Sequence, residues 1–257
     1  MNKENPEKSN PQEQIDRVVR QARQLLKTNR DFGITMAPSP AGKPPVQKTA
    51  VHNEPAQDSS EKAAALEPLR QKALCCQACK LAQGRNSVVW GEGSLDAEVV
   101  FVGEGPGRDE DMQGRPFVGR AGELLTRMIK AMGFKREQVY ICNIVKCRPP
   151  MNRVPEPDEV AACHPYLEAQ LTTIRPKVIC ALGKTAITNL LGIDAPMGKL
   201  RGTVFDWKGI SLVATFHPAY LLRNPAAKTE TWEDLKQVLK ILGRPVRQSQ
   251  DKPDAGG

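Results

Sequence analysis

Seven cysteines are spread over the 257 residues, and their spacing sorts them. Cys76 and Cys79 form a C-x-x-C pair with Cys75 directly before it, and Cys147 and Cys163 follow far downstream with fifteen residues between them. Two neighbouring thiolates and two remote ones can close a tetrahedral shell around a metal, and thiolate chemistry alone leaves zinc and an iron–sulfur cluster both open. The three-residue step from Cys76 to Cys79 suits a shared site, so Cys76 is preferred as ligand, with Cys75 as the alternative. Cys142 and Cys180 lie inside apolar runs and read as small core residues. An odd cysteine count without an export signal argues against a disulfide framework. Of the three histidines, His52 sits in a polar stretch and His164 adjoins Cys163, which leaves His217 as the best candidate for proton or hydrogen-bond chemistry.

Two nucleotide-binding signatures fail on inspection. Gly183-Lys184-Thr185 resembles the end of a P-loop, but Val178 stands where that motif needs its first glycine. Gly103-Glu104-Gly105-Pro106-Gly107 resembles a dinucleotide fingerprint, but Arg108 occupies the slot of the third glycine and Pro106 removes an amide donor.

The elements that must position these residues follow from the apolar periodicity. Residues 12–30 predict an amphipathic helix, within an N-terminal segment 1–33. Residues 34–65 are poor in large apolar groups and predict a flexible linker. From 66 to 243 the pattern is that of a folded domain: strands at Val99–Val102, Val139–Val145 and Val178–Leu182, helices at 119–132 and 157–174, and a further helix after Lys184. The 157–174 helix is expected to break at Pro165. Thr203–Trp207 and Ile210–Thr215 predict a hairpin or consecutive strands, 228–242 a closing helix, and 244–257 a loose tail. Alternating strands and helices imply an α/β sandwich with a mainly parallel sheet, whose ligands bind beyond the carboxyl ends of the strands. Net charge is +8 with a pI near 9.2, and residues 1–65 carry only +2 of it, so the basic excess belongs to the domain. That balance suits a polyanionic partner such as nucleic acid. No apolar run is long enough to cross a bilayer and the N-terminus lacks a signal-peptide core, so no membrane association and a cytoplasmic location are expected.

Four segments remain: GEGPGRDEDMQGRPFVGRAG at 103–122, NIVKCRPPMNRVPEP at 143–157, ALGKTA at 181–186 and HPAYLLRNP at 217–225. Together with the Cys76–Cys79 pair, their order and spacing resemble the family 4 uracil-DNA glycosylases over roughly residues 70–243. The resemblance implies a three-layer αβα sandwich, a monomer, and an enzyme that hydrolyses the N-glycosidic bond of uracil in single- or double-stranded DNA. It also decides the metal question for a [4Fe–4S] cluster on Cys76, Cys79, Cys147 and Cys163.

Residue by residue, the resemblance makes Asn143 the reader of uracil's edge, Phe117 the aromatic shelf under the base, and His217 the donor to uracil O2 as the anion forms. Gly103, Gly105 and Gly107 would let the backbone approach the base. Glu110 would lie beside it, either excluding thymine's methyl group or bracing the loop. Gly105 stands where another glycosylase family carries an aspartate and where family 4 commonly has alanine. Glu104 is therefore the nearest acid to orient the attacking water, with Asp109 a weaker choice. Leu221 is expected to fill the gap left by a flipped base, with Tyr220 the alternative. Arg223, with Arg120, Arg148, Arg153 and Lys184, would meet phosphates. No lysine is placed as an amine nucleophile, so no strand-cleaving lyase step is expected. The competing readings are a noncatalytic, metal-stabilised nucleic-acid-binding module and a superfamily relative with another base preference. No feature of the sequence names a protein partner.

Overall fold

The computed structural model describes residues 58–246. The helix expected at 12–30, most of the expected linker and residues 247–257 lie outside the described residues.

Six strands form one sheet in the order β1-β3-β2-β4-β6-β5. They are β1 (Glu92–Gly93), β2 (Val99–Gly103), β3 (Tyr140–Asn143), β4 (Val178–Leu182), β5 (Val204–Trp207) and β6 (Ile210–Thr215). The four central strands, β3, β2, β4 and β6, are parallel, and β1 and β5 pair antiparallel at the two edges. Every residue of β2, β3 and β4 is buried. That explains why their sequences are continuous apolar runs and do not alternate.

Strand alternation sends side chains into two separate cores. Val100, Val102, Cys142, Ile179, Ala181, Leu212 and Ala214 face one side. There they meet α1 (Ser59–Leu74), α4 (Pro157–Ile174), α5 (Lys184–Leu191) and the short α6 (Met197–Leu200). Val99, Phe101, Ile141, Val178, Cys180 and Val213 face the other side and meet α3 (Arg120–Ala131), α7 (Pro218–Arg223) and α8 (Lys228–Ile241). The architecture is the three-layer αβα sandwich expected. The β5–β6 hairpin turns at Lys208 and Gly209, both with positive φ (51° and 83°), as a two-residue hairpin requires.

Several expectations are corrected. The linker does not extend to residue 65, because α1 starts at Ser59. This helix buries only Leu66 and Ala73, too few positions to leave a periodic signal in sequence. Pro165 does not break α4. It lies on the exposed side, where the carbonyl it leaves unpaired can meet water, while Val160, Cys163, Leu167 and Leu171 hold the helix to the sheet. The tail is not loose at its start: Arg244 pairs with Glu98 at 2.5 Å and stacks 4.2 Å from the Phe134 ring centre. The small elements β1, α7 and α2 (Arg108–Gln113) are too short to show an apolar periodicity of their own.

Chain order changes direction at β2, with β3 on one side and β4 on the other. A crevice therefore opens beyond the carboxyl ends of β3, β2 and β4, and the loops leaving these strands line it.

Candidate active site

A cavity of about 520 Å³ lies in that crevice. The loop after β2 contributes Glu104, Gly105, Pro106 and Gly107, and the end of β3 contributes Asn143. The end of β4 and the start of α5 add Leu182, Gly183, Lys184 and Thr185, and the segment after β6 adds His217, Ala219, Tyr220 and Arg223. Phe117 and Glu110 complete one wall, and Pro149, Asn152 and Arg153 complete another. Residues separated by more than a hundred positions in sequence meet because four parallel strands end side by side.

Asn143 is only 1% exposed, and its Oδ1 has no hydrogen-bond partner. Leaving a buried amide oxygen unpaired costs about 1–3 kcal/mol, so its persistence at a cavity wall points to a ligand donor. Two contacts hold it there. The strand register sets Asn143 opposite Gly103, and the buried Lys146 Nζ donates to the Asn143 carbonyl at 2.9 Å. Lys146 also donates to Gln170 Oε1 at 2.6 Å, and Gln170 in turn donates to the Trp90 carbonyl and the Tyr140 hydroxyl. Nothing in the sequence marks this lysine.

Gly103 is not on the cavity wall but directly behind it. A Cβ there would fall 2.4 Å from Asn143 Oδ1 and 2.6 Å from Phe117 Cζ. Gly105 and Gly107 do reach the cavity. Phe117 is buried with φ at 52°, a strained backbone for an aromatic residue. The clasp that holds it is Glu110. Its carboxylate accepts from the Gly107 N–H at 3.0 Å, and from those of Val118 and Gly119 at 3.0 and 3.1 Å. Of the two roles considered for Glu110, the bracing one is thus visible. Asp111, which carries no sequence signal, is fully buried and accepts from the Asn86 and Ser87 backbone and the Asn86 side chain, which anchors α2.

The His217 ring centre lies 5.6 Å from that of Phe117. Its Nδ1 accepts the Ala219 N–H at 3.1 Å, which leaves the neutral ring's proton on Nε2. Burial, with a smaller contribution from the nearby Arg223 charge, lowers its pKa to about 4. The ring is therefore neutral at pH 7 and presents an N–H donor. Glu104 lines the same cavity, and its Oε2 accepts from Thr185 Oγ1 at 2.5 Å. Thr185 belongs to the ALGKTA segment, but its sequence context does not single out the threonine itself.

Leu221 is 1% exposed and packs in the core beneath α7, so it does not project from the surface as expected. The apolar face of this short helix turns inward, and Tyr220 is the residue left at the cavity, 38% exposed and stacked 4.9 Å from Phe216. Among the expected phosphate contacts, Arg153 is committed to Glu159 through two hydrogen bonds, Lys184 pairs with Asp194 at 2.7 Å, and Arg148 donates to Asn152. Arg223 and Arg120 are exposed and form no ion pair among the described residues.

Cys76, Cys79, Cys147 and Cys163 line one separate small cavity, and Cys75 does not. Cys75 is exposed, whereas Cys142 and Cys180 are buried in the sheet as expected. The Ala78 and Lys146 N–H groups point at Cys76 and Cys163 at 3.5 and 3.2 Å, and Arg85 at Cys147 at 3.3 Å. Among the described residues no three His, Cys, Asp or Glu side chains stand close enough to hold a single metal ion. No helix among them is long and apolar enough to cross a membrane.

Comparison with known proteins agrees with this geometry. The description Uracil DNA glycosylase superfamily matches residues 90–236. A type-4 uracil-DNA glycosylase of Thermotoga maritima is 53% identical over 161 residues, 62% of this chain and 84% of the relative. One of Sulfurisphaera tokodaii is 45% identical over 195 residues, 72% of this chain and 89% of the relative. A type-5 uracil-DNA glycosylase of Pyrobaculum aerophilum is more distant, at 33% over 175 residues, 61% of this chain and 75% of the relative. The chain belongs to the uracil DNA glycosylase superfamily, on its type-4 branch.

Proposed function

We propose that this protein excises uracil from DNA by hydrolysing its N-glycosidic bond, leaving an abasic site. The observation that carries the reading is the unpaired, buried Oδ1 of Asn143 at a cavity that also holds Phe117 and His217. The relatives named above are uracil-DNA glycosylases.

The cavity suits a base turned out of the helix, which is the only way to expose the reactive bond. Uracil offers an N3–H donor and an O4 acceptor, and the Asn143 carboxamide offers the matching pair: Oδ1 accepts and the amide nitrogen donates. Cytosine reverses both and meets like against like. Phe117 stacks on the base, an interaction worth about 1–3 kcal/mol. Cleavage leaves positive charge on the sugar and negative charge on uracil, and the His217 Nε2–H, already oriented, bonds to O2 as that charge grows. Glu104, held by Thr185, orients the water that attacks the sugar, and its carboxylate balances the sugar's charge. Glu110 serves as a brace for the shelf. Among the described residues Lys184 is the one lysine that lines the cavity, and it pairs with Asp194 at the surface, which fits a reaction that ends at the abasic site.

Cys76, Cys79, Cys147 and Cys163 are proposed to hold a [4Fe–4S] cluster. Thiolates suit zinc and iron alike, so the cluster rests on the family 4 resemblance, supported by the way these four cysteines, and not Cys75, line one cavity. The cluster would supply structural closure, tying the segment after α1 to the loop after β3 and to α4.

Oligonucleotides carrying U, T, C or hypoxanthine, incubated with the protein and then exposed to alkali, test the reading. Strand breaks at U are expected. DNA binding without abasic sites would replace the enzyme with a binding module, and preferential breaks at hypoxanthine would assign another base preference.

A further inference from the structure

We infer that Met151 is a wedge residue: when duplex DNA binds, its side chain enters the base stack beside the extruded nucleotide. The inference rests on the proposed action on DNA and places the point of entry on the loop after β3, away from α7.

Met151 is 95% exposed, the extreme among the large apolar side chains in the described residues. Its backbone is held at φ 53°, ψ 22°, a conformation that glycine adopts freely and a methionine adopts at a cost. Asn152 shares the left-handed backbone, with φ 56°, and the two residues form a tight turn closed by the Arg153 N–H on the Pro150 carbonyl, which accounts for the backbone. The apolar side chain held in water at the tip of that turn is not explained by packing.

Its position supplies a use. The neighbours Pro149 and Asn152 both line the base cavity, so Met151 is carried on the cavity's rim. The loop beneath it is stiff. The Asn152 N–H donates to the Pro149 carbonyl at 3.0 Å and the Arg153 N–H to the Pro150 carbonyl at 3.1 Å. Arg148 donates to Asn152 Oδ1 at 2.8 Å, and Arg153 grips Glu159 with both arms. A rigid platform of this kind loses little freedom when its tip is inserted.

The segment after His217, meanwhile, has no free aliphatic side chain to insert: Leu221 is buried, Leu222 packs against the same core, and the exposed Tyr220 is stacked on Phe216. An unbranched, polarizable methionine fits between base steps, and apolar wedges of this type stabilise the unstacked state of the duplex. Because the wedge acts only on stacked DNA, it matters for double strands and not for single strands.

The test uses the full chain with Met151→Gly and Met151→Ala, on uracil in one sequence presented as a single strand and as a duplex. Expected are single-strand rates within about twofold of the parent protein and duplex rates lower by about tenfold, with Met151→Leu restoring most of the duplex rate. A 2-aminopurine beside the uracil should brighten less on duplex binding by the glycine variant. That variant should melt no lower than the parent, since glycine relieves the φ of 53°, so a lost rate is not lost folding. Unchanged duplex rates, or equal losses on both substrates, overturn the inference. Failure of the parent protein to excise uracil from the single strand would instead count against the proposed function itself.

Discussion

Replacing Asn143 by alanine should make the protein more stable and far less active. The free protein carries Asn143 Oδ1 buried and unpaired, which costs about 1–3 kcal/mol. Removing the carboxamide removes that cost, and the space it leaves joins an existing cavity. About 1 kcal/mol of net gain raises Tm by roughly 2–4 °C in a domain of this size. The uracil complex responds in the opposite direction. N3–H and O4 both enter the pocket without partners, at about 1–3 kcal/mol each, so kcat/KM should fall by roughly 30-fold to 10⁴-fold. The side chain has no slack with which to blunt this effect. Lys146 holds the backbone carbonyl of Asn143 at 2.9 Å, and the carboxamide packs so closely on Gly103 that a Cβ there would fall 2.4 Å from Oδ1. Single-turnover excision from a uracil oligonucleotide, with a melting curve on the same sample, measures both quantities. Asn143→Asp sharpens the test, because its second oxygen accepts from the amino group of cytosine where the amide donated to O4. The preference for uracil over cytosine should drop by at least about tenfold. An Asn143→Ala protein that melts several degrees lower and cleaves at the parent rate would refute the assignment.

Further outcomes follow from the same geometry. The folded pKa of His217, about 4, lies below its unfolded value near 6.5, so this residue stabilises the fold fully above pH 6.5 and loses that contribution as pH falls towards 4. Tm measured from pH 7.5 to 4.5 should therefore decline more steeply in the parent than in His217→Gln, which should also lose most of its excision rate at pH 7.5; parallel Tm profiles would show that His217 does not titrate in this way. Glu110→Ala leaves three backbone N–H groups without their carboxylate acceptor and should cost about 2–4 kcal/mol, a Tm fall of roughly 5–15 °C, with a raised KM as Phe117 loosens; a shift under 2 °C would mean that the clasp contributes nothing. Cys76→Ser should abolish the absorbance near about 400 nm expected of an iron–sulfur protein, whereas Cys75→Ser should keep it, and the opposite result would exchange the two cysteines.

Asn143, Phe117, His217, Glu104 and Glu110 are singled out through the family resemblance of their segments, and the structure brings all five to one cavity. The central strands are legible in the sequence, since a strand buried on both faces must be apolar throughout, and Val99–Val102 and Val178–Leu182 are. The three-residue step favours Cys76 over Cys75, and Cys76 is the one that shares a cavity with Cys79, Cys147 and Cys163. What the sequence does not carry is the direction in which a side chain points once its element is packed. Leu221 and Tyr220 are adjacent, and only the docking of α7 on α3 decides that the leucine is core and the tyrosine is rim. Nothing in the sequence distinguishes Lys146, yet the packing of α4 makes it the buried link between Asn143 and Gln170. The same holds for α1, whose two buried residues leave almost no periodic trace and whose position depends on α4. Residue type and spacing state which chemistry is available; the closing of the sheet, which aligns four strand ends, decides which of those residues share a cavity and which face the core or the solvent.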